Sequence, residues 1–417
     1  MRDSADFVRH ARKEHVLAEK MSHAIAQPRP RTILFITSCP EVWGGSEELW
    51  AGAALRLRSL GHRVIAGRSE PLRHWRRHPQ WVRLREAGVE VGRFFVPALF
   101  RTFPDALLRN CPPLAPFVYG IRNRALSFWI RRLGVDLVVI AQGNTFDGMD
   151  LVELPLVAHA AEKPYVLVCQ KNWEIDWPMD MLRERHKGHF LKARQAFFVS
   201  QHNHQITEQM IGARLSHARV VRNPFMISTR EPLPWPPAED GVFKLACVGR
   251  LWLREKGQDI LLNVLGREKW RERPLQVNFY GTGANAEGLE GMARLLGLTN
   301  VRFCGFTDDV TNVWREHHAL VLPSRAEGLP LAQVEAMICG RVPIVSPAGG
   351  IGEILEDGVT GFVASSASED AFDEAMERAW QCRHQWQAIG LKASESVWRH
   401  FPEDPCADFA HKLAALL

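Results

Sequence analysis

The chain has 417 residues, 46% of them apolar and 24% charged. These values fit a folded protein, and the length exceeds what one core usually supports, so two domains of roughly 200 residues are expected. Basic residues outnumber acidic ones by 52 to 47, but no zinc-finger spacing, aromatic RNA-binding signature or basic recognition helix accompanies the excess, which argues against specific nucleic-acid binding.

Residues 1–30 read as an N-terminal helical extension and linker, with the prolines of QPRPR at 27–31 interrupting the helix. They lack the continuous apolar core of a secretory signal, and no run of about 18 apolar residues occurs anywhere, so neither a leader nor a membrane span is expected. A first domain is expected over 31–230. TILFITS (32–38) forms a strand, Ser46 caps a helix reaching Leu60 with Glu47 and Glu48 at its positive end, and HRVIAGR (62–68) completes a right-handed βαβ unit. Across this region Arg56, Arg58, Arg63, Arg68, Arg73, Arg76, Arg77, Arg83 and Arg85 face only Glu70 and Glu86. A solvated surface accounts for them, and so does attraction of phosphates, an anionic acceptor or a membrane face. Strands near 89–96, at 137–142, 165–170, 196–201 and 219–222 continue the sheet, while the proline-rich 111–117 has no assignable structure.

Four prolines in 231–241 mark a linker, and a second alternation over 242–390 builds another domain. Its strands are expected at 243–249, 276–281, 301–305, 319–324 and 342–346, with helices from Gly257, over 286–297 and over 331–339. The fold class is therefore α/β, with two Rossmann-like parallel-sheet domains facing a central cleft. Helices at 369–381 and 384–397 lead into a C-terminal helical segment, 391–417, for which packing back on the first domain is one option. The eight cysteines include no CxxC, and Cys169, Cys247 and Cys304 lie in apolar strands; buried reduced thiols in a reducing medium are expected.

In open α/β domains ligands sit beyond the C-terminal ends of the strands, and three loops of the second domain qualify. GRLWLREKG (249–257) carries Arg250 and Lys256, two cations that together suit a diphosphate. YGTGANAE (280–287) is either an ordinary turn or a ligand loop; it is neither a Walker A motif nor a full GxGxxG, which disfavours a nicotinamide cofactor. The stretch from Arg325 to Gly361 places Glu327 and Glu335 eight residues apart. Gly328 permits a close turn, the amides of Leu329 and Leu331 stand at a helix start, and the two carboxylates can accept bonds from hydroxyl pairs. His202, His204, His317 and His318 form no metal or triad pattern, and Asp308-Asp309 suits a loop cap better than a cation site.

The Glu327 to Glu335 spacing resembles the E-x7-E signature of the retaining, nucleotide-sugar-dependent glycosyltransferases of family 4, which have the GT-B fold. The Gly44-Gly45 loop, Arg250 with Lys256, and PAGGIGEILEDGVTGFV at 347–363 match that family in the same order. The resemblance implies a nucleotide diphosphate sugar as co-substrate, no cofactor and no essential metal. It implies that Glu327 contacts the donor sugar, Glu335 binds the ribose hydroxyls, and Arg250 and Lys256 neutralise the diphosphate. Gly44 and Gly45 would approach the phosphates and acceptor from across the cleft, and Phe306, in the loop from Gly305 to Asp309, is a candidate base contact. One departure is clear: where many relatives carry a histidine beside the donor sugar, this chain has Gln142, Asn144, Gln170 and Asn172. An amide can bond a sugar or acceptor hydroxyl but cannot exchange a proton near neutral pH.

The expected activity is transfer of a sugar, most simply a hexose, to an acceptor hydroxyl with retention of configuration. Carbohydrate, lipid-linked and small-molecule acceptors remain open, as do the base of the donor and the oligomeric state. A cytoplasmic protein, with peripheral contact at the inner membrane face as an option, fits this reading. A sugar-phosphate synthase or phosphorylase of the same fold, and a non-catalytic nucleotide-sugar-binding protein, are the alternatives.

Overall fold

The structure, a computed structural model, describes residues 29–39, 41–68, 75–92, 115–150, 154–227 and 229–417. Residues 1–28 of the expected extension, Glu70 and Arg73 of the basic stretch, and 111–114 lie outside them.

Seven strands form the sheet of the first domain: β1 (Thr32–Thr37), β2 (Arg63–Arg68), β3 (Glu90–Val91), β4 (Leu137–Asn144), β5 (Tyr165–Lys171), β6 (Gln195–Phe198) and β7 (Ala218–Val220). They lie in the order β3-β2-β1-β4-β5-β6-β7 with every pairing parallel. Because side chains alternate across a strand, Leu34, Ile36, Val138 and Ile140 enter one core while Ile33, Phe35, Val139 and Ala141 enter the other. Both faces are thus covered by helices, which is why these strands read as unbroken apolar runs.

The second sheet comprises β8 (Phe243–Val248), β9 (Leu275–Tyr280), β10 (Val301–Gly305), β11 (Ala319–Leu322), β12 (Val342–Val345) and β13 (Phe362–Val363). Its order is β10-β9-β8-β11-β12-β13, again all parallel. In each sheet the chain direction of winding reverses once, between β1 and β4 and between β8 and β11, and each reversal opens a crevice at the strands' C-terminal ends.

Several local expectations are corrected. The helix Gly45–Ser59 starts one residue early, with extended Gly44 at its N-cap and no side-chain cap; Ser46 lies inside the first turn, its Oγ 3.6 Å from the Cys39 sulfur. The strand expected at 196–201 stops at Phe198 because Ser200 caps the helix Gln201–Ile211, accepting from the Asn203 amide at 3.1 Å. Cys169 and Cys247 are buried as expected, but Cys304 is exposed, since β10 is an edge strand with one face uncovered. Much of the basic stretch is committed locally. Arg63 pairs with Glu90, Arg56 with Asp404, Arg58 and Arg76 donate to the carbonyls of Gly88 and Val91, and buried Arg68 donates to those of Cys39 and Val42. Those contacts favour the plain structural account of these arginines.

The chain ends on the helix Pro405–Ala414, which packs on the helix Gly45–Ser59 of the first domain. Phe409 meets Phe197 edge-on at 5.1 Å, and Phe409 and Leu413 are fully buried. A chain ending at Asp404 would uncover both side chains, so a stability loss of roughly 3–6 kcal/mol is expected, read as a lower urea midpoint. An unchanged midpoint would show that the helix is only an appendage. Among the described residues no helix is long and apolar enough to cross a membrane.

Candidate functional site at the domain cleft

Short backbone bonds fasten the second-domain loops side by side at the strand ends. The Gly249 amide donates to Tyr280, the Leu251 amide to Thr282, and the Gly281 amide to Gly305, all at 2.8 to 2.9 Å. The loop after β11 is tied to the same edge: the amides of Arg325 and Ala326 both donate to the Glu255 carbonyl, at 2.7 and 3.1 Å. Arg325 also grips Asp259 with both nitrogens of its fork, at 2.8 and 2.7 Å. These ties bring together residues separated by about 70 positions. Lys256 Nζ lies 2.6 Å from Glu327 Oε1, which also accepts from Ser324 Oγ at 2.7 Å. Glu327 is 5% exposed, so its charge is held by this pair and not by water.

Arg250 stands beside them. One nitrogen of its fork, Nη2, is 3.1 Å from Glu255, and Nη1 pairs with Glu41 in the loop that follows β1 of the first domain. Arg250, Lys256 and Glu327 therefore occupy one edge of the crevice between β8 and β11, and the first domain reaches it through Glu41. Gly45 comes across at the same level: a Cβ built on it would lie 2.9 Å from the Leu331 side chain.

Glu335, in the helix Leu331–Ile338, is 3% exposed and accepts from the Met226 amide of the inter-domain connection at 2.8 Å. Its carboxylate is thus engaged with the connection in this structure. Leu329 is buried in the second core, and Phe306 is 75% exposed at the end of β10. The close approach at Gly328 is to the other domain. A Cβ there would meet the Gln170 carbonyl oxygen at 1.9 Å, and its own carbonyl accepts from the Gly350 amide at 2.7 Å. Gly349 adopts φ +56 and would place a Cβ 2.1 Å from the Glu327 carbonyl. The turn at Gly349 and Gly350 therefore packs directly against the backbone of Glu327 and Gly328.

The four first-domain amides are bonded to protein groups. Gln142 accepts from the Gly148 amide at 3.0 Å; Asn144 donates its backbone and side-chain N–H groups to Asp147 at 2.7 and 3.2 Å. Gln170 accepts from Asn223 at 2.7 Å, and Asn172 bonds Thr207 and the Trp173 amide at 2.9 Å each. Lys171, between the last two, instead reaches Glu255 of the second domain at 2.5 Å. Sequence reasoning passed over Lys171, Glu255 and Glu41; Glu255 lies inside the GRLWLREKG loop, and strand alternation at 170, 171 and 172 was the available signal for Lys171. Of the other candidates, Asp309 caps the helix Val310–Glu316, His202 bonds Glu174 at 2.6 Å, and buried His317 lies between Asn278 and the Val313 carbonyl.

Two buried carboxyls sit near the cleft. Burial pushes Glu47, bonded by Thr37 at 2.9 Å, and Glu335 each from the ordinary 4.5 up to about 7. A carboxyl raised in the fold holds a proton that the unfolded chain has already released, so its contribution to stability is present below about pH 4.5 and lost as pH rises through 7. Thermal stability is accordingly expected to fall between pH 5 and 8, by on the order of 3 kcal/mol per group, and the Glu47→Gln, Glu335→Gln double variant should flatten that slope. An equally steep slope in the double variant would assign it to other groups.

Known proteins resemble this chain in part of its sequence and in its fold. Residues 242–382 match the family model described as glycosyl transferases group 1. The chain is 32% identical over 140 residues to a glycogen synthase of Pseudomonas syringae pv. syringae, covering 33% of this chain and 28% of that protein. It thus spans about a third of the length of the curated relatives it matches. Among solved structures, Anabaena HepE in complex with UDP superposes with a TM-score of 0.70 at 18% identity, covering 93% of this chain and 100% of that one. Sucrose-phosphate synthase of Thermosynechococcus elongatus gives 0.65 at 16% identity, covering 93% and 98%. The second domain is thus similar to the group 1 glycosyl transferases over residues 242–382, and the chain's two facing parallel-sheet domains have the GT-B fold.

Proposed function

We propose that the protein is a retaining glycosyltransferase of family 4 that moves a hexose from a nucleoside diphosphate sugar to an acceptor hydroxyl. The observation that carries this is the convergence of Arg250, Lys256 and Glu327 at the β8/β11 crevice, two cations and a carboxylate arranged for a diphosphate bearing a sugar. As the bond from the anomeric carbon to the phosphate oxygen breaks, negative charge grows on the diphosphate, where Arg250 and Lys256 stabilise it. The acceptor oxygen attacks from the leaving-group face and its proton passes to a departing phosphate oxygen, so no histidine is required. Glu327 then holds sugar hydroxyls and Glu335, once released from the Met226 amide, the ribose. The Gly44-Gly45 loop closes the phosphate end, Phe306 borders the base, and the amides of Leu329 and Leu331 face the donor.

For the acceptor, the first-domain loop after Asn172 is informative. Trp173 stacks under Arg254 of the second domain at 5.3 Å, and Ile175, Trp177, Met179 and Met181 beyond it are all exposed. Such a row at the cleft rim favours an acceptor with an apolar portion, lipid-linked or small-molecule, over a purely carbohydrate one. A lipid-linked acceptor would bring the protein to the inner membrane face.

Incubation with UDP-, GDP- and ADP-hexoses and a set of neutral, phosphorylated and lipid-linked acceptors tests the proposal. Release of nucleoside diphosphate with a product of the donor's own anomeric configuration is expected. Exclusive turnover of sugar phosphates would favour the synthase or phosphorylase, and absence of turnover with retained donor binding would leave a non-catalytic binder.

A further inference from the structure

The first domain supplies a cation to the phosphate edge that none of the four amides replaces. Lys171 ends β5, and its ammonium lies 2.5 Å from Glu255 Oε1 in the opposite domain. The other oxygen of the same carboxylate, Oε2, is 3.1 Å from Arg250 Nη2. Glu255 therefore bridges one cation from each domain. Both side chains of the cross-domain pair are only 17% exposed, so the contact is poorly screened. Burial pushes the Glu255 carboxyl up, but Lys171, Arg250 and Lys256 outweigh it and hold the group below the ordinary carboxylate range. The bridge is an ionised one.

A carboxylate beside a diphosphate site is costly unless a further cation offsets it, since a bound donor would repel it. Lys171 is that cation, and its backbone is fixed by the register of β5 on β4, where it pairs with Asn144. We infer that Lys171 is a positioning residue for the donor diphosphate: through Glu255 it sets the Arg250 guanidinium at the phosphate edge and makes that setting depend on closure of the two domains. The inference rests on the transferase reading above. It distinguishes Lys171 from a simple bolt between domains, because the pair must have the carboxylate on the Arg250 side to do this work.

That polarity is testable. Binding of UDP, GDP and ADP is measured by calorimetry for the wild-type protein, Lys171→Met, Lys171→Arg and the swapped double variant Lys171→Glu, Glu255→Lys, with donor KM and kcat for transfer and Tm for each. Lys171→Met is expected to raise Kd for the tightest-binding diphosphate and the donor KM by about tenfold, with kcat less affected and Tm lowered because Glu255 loses its cross-domain partner. Lys171→Arg should recover most of the loss. The swapped variant re-forms the cross-domain pair but sets a lysine against Arg250, so it should bind diphosphate as weakly as Lys171→Met. Recovery of wild-type Kd in the swapped variant would overturn the inference in favour of a bolt, and unchanged Kd and KM in Lys171→Met would overturn it outright. If the wild-type protein binds none of the three diphosphates, the transferase reading falls and the inference falls with it; if it binds one that the variants bind equally well, only the inference falls.

Discussion

Replacing Lys256 with alanine is expected to lower kcat/KM for sugar transfer by about 10²–10³-fold, the usual cost of removing one preorganised charge from the position where transition-state charge develops. Lys256 is held 2.6 Å from Glu327 at the end of a loop fixed against the neighbouring strand ends by the bonds of Gly249 to Tyr280, of Leu251 to Thr282, of the Glu255 carbonyl to the amides of Arg325 and Ala326, and of the Leu253 carbonyl to the Arg325 side chain. On the proposed function it would meet the diphosphate without having to be ordered first. If its role is to stabilise the departing phosphate, kcat should fall more than KM rises, because the charge it meets is larger in the transition state than in the bound donor. Removal also leaves Glu327 buried with Ser324 as its remaining side-chain partner, so a lower Tm is expected alongside. A Lys256→Ala protein with wild-type kcat would move the leaving-group chemistry elsewhere.

The second large effect is expected at Gly328. The methyl group of Gly328→Ala would sit 1.9 Å from the Gln170 carbonyl and 2.7 Å from Val199 Cγ2, both in the first domain. A backbone carbonyl inside β5 cannot move without breaking the sheet, so the domains must part instead. Overpacking of this kind costs about 1–3 kcal/mol. The same displacement would pull Lys171 and Glu41 of the first domain away from Glu255 and Arg250 of the second. The expected outcome is a larger radius of gyration in solution scattering and a kcat/KM lowered by about a hundredfold, with each domain still folded. Unchanged scattering and kinetics would mean that the two domains do not rest on each other at this point.

The fold was largely legible because parallel strands buried on both faces read as unbroken apolar runs; LVVIA in β4 and ALVL in β11 show this plainly. What escaped were features decided by tertiary neighbours. The two-residue strand β13 is too short for any periodicity, and the exposure of Cys304 depends on β10 lying at an edge. Ser46 has the right side chain for a cap, but extended Gly44 takes the cap position and begins the helix one residue earlier.

At the site the pattern is similar. Arg250, Lys256 and Glu327 were visible as charged residues in loops after strands, and the structure brings them together. Glu335 was visible too, but its bond to the Met226 amide joins residues 109 apart and no local pattern announces it. The first-domain amides attracted attention as hydrogen-bonding residues near strand ends, whereas their partners Gly148, Asn223 and Thr207 become neighbours only after folding. Lys171 was passed over for the same reason, its partner Glu255 lying in the other domain.

The most direct test of the account is equilibrium binding of UDP and UDP-glucose, alongside GDP and ADP, to the wild-type protein and to an Arg250→Ala, Lys256→Ala double variant. Saturable binding of at least one nucleoside diphosphate by the wild-type protein is expected, weakened by at least about a hundredfold in Kd when both cations are removed. Binding that is absent in the wild-type protein, or that survives unchanged in the double variant, would contradict it.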